Sequence, residues 1–187
     1  MTVRLTALAA LVSLVALTAR AQDHPFKTAA KDDTATYKMK VAVGTLVLEG
    51  TTTQTVVAKT DTKVTVRVTA NFSGMEPPPQ DQEIDLTKTY DPTRVGALPQ
   101  GAEAKLDKLK DGKEKIKVAG KEYETTWTTY KMKAKAGGMD IDADLKVWMS
   151  KDVPMGMAKM EMKAEFAGQA MNMTMELTET GNKPVKD

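Results

Sequence analysis

Thioether sulfur is the one chemically distinctive group this sequence supplies in quantity. The stretch WMSKDVPMGMAKMEMKAEF, Trp148 to Phe166, carries five methionines, and MNMTM follows from Met171 to Met175. Soft thioethers suit Cu(I). A methionine wall can also repack around varied apolar ligands, and methionine fills irregular gaps in a core. Copper sites of this kind are strengthened by histidine or cysteine, yet the chain has no cysteine and one histidine. On a strand, Met171, Met173 and Met175 would share a face in steps of about 7 Å. One ion cannot span those steps unless Met160 and Met162 on the preceding strand close the site. Met160, Met162, Met171, Met173 and Met175 are therefore the Cu(I) set, ranked behind an apolar wall and a filled core.

Other chemistry is sparse. His24 is the sole histidine and falls in a polar segment. Ser73 and Ser150 lie outside any G-x-S-x-G elbow, so Ser-His and Cys-His pairs have almost no candidates. Asp140, Asp142 and Asp144 alternate along one strand face, which reads as a solvated surface without the loop that would wrap calcium. Neither a P-loop nor a dinucleotide fingerprint is present. The expectation is a protein that is not an enzyme and has no cofactor.

The N-terminus gives an address. MTVRLTALAALVSLVALTARAQD has a basic start at Arg4, an apolar run from Leu5 to Leu17, and Ala19-Arg20-Ala21 as a small-x-small site. The run is short of the roughly 20 apolar residues that span a bilayer. Residues 1–21 are expected to be a signal peptide cut after Ala21, leaving an exported, periplasmic or extracellular protein with no membrane span. Of 27 basic residues, removal of Arg4 and Arg20 leaves 25, equal to the 25 acids. That balance gives no basic face for nucleic acid. Without cysteine there is no disulfide framework, so a packed core must hold one domain together.

Period-2 alternation dictates the elements that position the methionines. In TKVTVRVTANF, Val64, Val66, Val68, Ala70 and Phe72 share a face; in DIDADLKVWM, Ile141, Ala143, Leu145, Val147 and Met149 do. Residues flanking a two-residue hairpin loop point the same way. Across Gly137-Gly138 this joins Tyr130, Met132 and Ala134 to the Ile141 face. Across Gly168-Gln169 it joins Ala158, Met160, Met162, Ala164 and Phe166 to Met171, Met173, Met175 and Leu177. The fold class is therefore mainly β: a curved antiparallel sheet, an open half-barrel or barrel-like meander, with one short helix. Residues 22–33 read as a flexible arm, 34–180 as a single β domain and 181–187 as a polar tail. Within the domain, 34–87 form a first strand group, 88–112 a loop and short helix, and 113–180 a second meander. The helix is placed on AEAKLDKLKDG, with Leu106 and Leu109 at i, i+3 and Gly112 as its stop. The Thr-rich strand within 45–59 has no well-specified face.

GKEYETTW (Gly120 to Trp127) and KVWMSKDVPMGMAKMEM (Lys146 to Met162) resemble exported bacterial β-sheet proteins similar to the lipoprotein-carrier superfamily. The matching residues are Gly120, Lys121, Tyr123, Trp148, Ser150, Val153, Pro154, Gly156 and Lys159, and the overlap covers about a third of the chain. The resemblance implies an unclosed, curved barrel around an apolar cavity. Read from the residues alone, Pro154 and Gly156 redirect the chain while Lys151 and Asp152 keep the tip wet. Trp148 alternates onto the outer face, packed locally or marking a partner site.

The leading functional reading is binding of a lipid or other apolar molecule in a Met/Val-lined concavity. Its wall candidates are Tyr37, Met39, Val66, Val68, Tyr130, Met132, Met160, Met162, Met173 and Met175. The alternative is a structural or protein-interaction module of the cell envelope with a dry core. Cu(I) binding is third.

Overall fold

The computed structural model describes residues 24–94, 103–136, 139–166 and 168–182. The expected signal peptide, the Gly137-Gly138 turn and the end of the polar tail lie outside them. Among the described residues, nine strands form one antiparallel sheet curled into a half-barrel. They are β1 (Asp33–Val43), β2 (Leu46–Lys59), β3 (Lys63–Phe72), β4 (Gln80–Asp85), β5 (Glu103–Val118), β6 (Lys121–Ala136), β7 (Met139–Met149), β8 (Met157–Phe166) and β9 (Gln169–Asn182). The order is β4-β3-β2-β1-β9-β8-β7-β6-β5. The chain thus starts centrally at β1, steps out to one edge at β4, crosses to the opposite edge at β5, and returns to pair β9 with β1. Each edge strand has one neighbour, so the sheet does not close.

The alternation of the sequence becomes cross-strand rows on the concave face. Met39, Met175, Met160 and Val147 form one row; Val41, Met173, Met162 and Leu145 form the next. Irregular register at Thr36/Tyr37, Val56/Ala58, Lys108/Lys110 and Trp148/Met149 supplies local bends, the usual means of curling a sheet.

Two sequence expectations need correction. Among the described residues the short helix is absent: EAKLDKLKDG, Glu103 to Gly112, belongs to β5, and the second strand group begins at Glu103. Leu106 pairs inward with Met132, whereas Leu109 is the extra residue between Lys108 and Lys110 and points to solvent. An i, i+3 spacing puts two leucines on one face of a helix but on opposite faces of a strand. The β8–β9 hairpin pairs Phe166 with Gln169, so its loop is 167–168 rather than 168–169. Gly168, at φ +75°, supplies the left-handed turn residue. The register moves by two, parity is unchanged, and the methionine faces stay as expected.

The arm also packs. His24 caps a single 3-10 turn, Pro25–Lys27, by accepting from the Phe26 N–H, and Phe26 and Ala29 are buried. Lys59 Nζ donates to the Lys27 and Ala29 carbonyls at 2.6 Å. Gly156 lets the β7–β8 loop meet this turn. It has φ +83°, and a Cβ there would lie 2.5 Å from Pro25 Cβ and 2.8 Å from Met149 Cε.

Candidate apolar site on the concave face

Burial along the concave face runs in the same direction on strand after strand. On β1, Ala35, Tyr37 and Met39 are buried, then Val41 and Val43 become half-exposed. On β2, Val56, Gln54 and Thr52 are buried, while Leu48 and Leu46 are exposed. Leu177, Met175 and Met173 give way to Met171 on β9, and Ala158, Met160 and Met162 to Ala164 on β8. Among the described residues one end of the half-barrel is filled and the other is left uncovered.

The filled end is covered by the chain itself. Phe26 and Ala29 from the N-terminal segment, Leu86 from the crossover, and Val153 and Met155 from the β7–β8 loop share one core cluster with the deep concave residues. Tyr90, also on the crossover, packs against that cluster and meets the His24 ring edge-on at 5.4 Å. The Tyr37 hydroxyl donates to the Met157 carbonyl at 3.0 Å. Burial raises the pKa of both Tyr37 and Tyr90 well above the ordinary phenol value, so both are neutral. Burial, aided by Lys27 and opposed by Asp85, lowers the His24 pKa.

The predicted wall residues therefore separate into two groups. Tyr37, Met39, Val66, Met132, Met160, Met162, Met173 and Met175 lie in the filled part, buried. Val68 and Tyr130 are half-buried against the cluster. Of the Cu(I) set, Met160 faces Met175 and Met162 faces Met173, while Met171 faces Ala164 nearer the open end. All but Met171 are buried. Among the described residues no group of three His, Cys, Asp or Glu side chains could hold a metal ion.

The open end presents Val41, Val43, Leu46, Leu48, Phe72 and Met171. Val43 pairs with both Leu46 and Met171, and Gly50 with both Met39 and Phe72. Apart from methionine, sequence reasoning missed this rim. The turn-parity count, applied across Gly44-Thr45, would have put Leu46 and Leu48 on the Val43 face. A separate groove of about 410 Å³ lies on the outer face, between Thr51, Thr53, Thr69, Asn71 and Pro77–Pro79. Ala70, Glu76 and the three prolines complete a lining that mixes apolar surface with hydroxyl, amide and carboxylate groups.

Trp148 is buried on the outer face, where its indole N–H donates to Glu114. Lys146 Nζ lies 4.7 Å from the Trp127 ring and 4.2 Å from the Trp148 ring. Local packing accounts for this tryptophan.

No family model and no curated protein matches the chain. The fold is similar to that of a Bacteroides fragilis protein assigned as exported and having a YmcC-like fold (TM-score 0.52, 9% identity, covering 82% of this chain and 97% of that one). It is also similar to a Parabacteroides distasonis protein assigned as a lipoprotein (TM-score 0.50, 8% identity, 83% and 98% covered). At such identities the likeness is one of fold.

Proposed function

We propose that this is an exported, non-enzymatic protein whose open concave end binds a lipid or another apolar molecule. The observation that carries the reading is the burial gradient: among the described residues the apolar rows continue past the point where Phe26, Leu86, Tyr90 and the β7–β8 loop cover them. The apolar N-terminal segment, the resemblance to the lipoprotein-carrier superfamily and the two exported or lipoprotein neighbours of like fold support it. The described residues of the open end, Val41, Val43, Leu46, Leu48, Phe72 and Met171, are all apolar, and a trough so lined suits hydrocarbon.

The burial of eight of the ten predicted wall residues favours a second reading, a structural or interaction module with a dry core. Titration with a fluorescent fatty acid separates the two. Saturable binding that Val43→Glu abolishes supports the trough. Absence of binding by the folded wild type leaves the dry-core module.

A further inference from the structure

The β1–β2 hairpin tip does something its trough role does not require: it exposes apolar side chains on both faces. Leu46 (57% exposed) and Leu48 (38%) face the trough, but Val47 (50%) points to the outer face, opposite Ala42. From Val41 to Leu48 the chain, VAVGTLVL, carries no charge. Met75 (65% exposed) adds to the same end, from the turn that follows Phe72.

We propose that this tip docks the protein on a lipid bilayer. A protein groove covers one face of a hairpin, whereas a hydrocarbon phase covers both. The uncharged segment extends from the Lys40–Glu49 pair to the turn, about 10 Å at strand rise, matching the roughly 5–10 Å depth of interfacial insertion. A charged collar sits where the headgroups would be. Lys38 and Lys40 approach the single Glu49 carboxylate at 3.2 and 3.4 Å. Glu176 on β9 pairs with Lys38 from the other side, so the collar carries both signs, as a zwitterionic headgroup layer does. The trough opens at the same end, so its mouth would face the membrane; the purpose of docking, though not its evidence, rests on the apolar-ligand reading above.

The test is flotation of protein recovered from exporting cells with phosphatidylcholine vesicles doped with phosphatidylglycerol, beside its Val47→Lys variant. Both share one N-terminus, so a difference belongs to the tip, and Val47 is exposed enough for folding to survive. The wild type floats, and Val47→Lys lowers the floated fraction by about tenfold or more. A wild type that stays at the bottom, or equal flotation of the two, overturns the proposal. So does a wild-type dimer that Val47→Lys splits and vesicles leave intact, since the tip's occupant is then a second copy. Fatty-acid titration of Val47→Lys keeps the two readings apart. Lost flotation with retained probe binding supports a docking tip distinct from the trough. Flotation without probe binding by the wild type refutes the trough alone.

Discussion

A buried hydroxyl ties two distant parts of the chain together. Tyr37 on β1 is fully buried, and its phenol donates to the Met157 carbonyl where β8 begins. Tyr37→Phe removes that hydrogen bond from the cluster and should cost about 1 kcal/mol, read from the shift in the urea unfolding midpoint. His24 gives a pH signature because it is the chain's one histidine. Its folded pKa is lowered from 6.5, with burial the largest cause. Above that pH the imidazole is neutral in both states and contributes no pH dependence. As pH falls below 6.5 the unfolded chain takes the proton first, so folding stability declines until the pH passes the folded pKa. The unfolding midpoint should therefore be lower at pH 5 than at pH 7, and His24→Phe should remove much of that difference. An undiminished pH dependence in the variant would assign the titration elsewhere.

At the scale of elements, turns and glycine contacts carry the testable content. Val118 and Lys121 pair across Ala119-Gly120, and both loop residues have positive φ, +51° and +71°. Alanine is strained there and asparagine less so. Ala119→Asn should stabilise the protein by about 0.5–1 kcal/mol, seen as a higher melting temperature. Gly112 lies opposite Trp127, and a Cβ on it would come within 2.6 Å of the indole. Gly112→Ala should displace the ring from Lys146, shift tryptophan fluorescence and cost about 1–3 kcal/mol. The strands were legible because alternation and turn parity are local: Lys63–Phe72 reads directly from TKVTVRVTANF. The β5 segment was not, since leucines at i, i+3 fit one helical face and only pairing with β6 shows Leu106 facing inward and Leu109 out.

For the whole molecule, the decisive feature is where the chain covers its own concave face. Turn parity placed Met132, Met160, Met162, Met173 and Met175 on apolar strand faces from sequence alone, with Met39 a wall candidate beside them. Their burial depends on Phe26, Leu86, Tyr90 and the β7–β8 loop, contacts made across long chain separations that no periodicity encodes. The same ignorance hid the rim, because Leu46 and Leu48 look like ordinary strand residues until the cover is seen to end before them. The central claim is that hydrocarbon occupies the open end. Native mass spectrometry of the processed protein, purified gently from the cells that export it, tests this most directly. The account predicts a co-purifying lipid-sized mass, lost in the Val43→Glu variant. A folded wild type that flies bare, or an adduct indifferent to Val43→Glu, would contradict it.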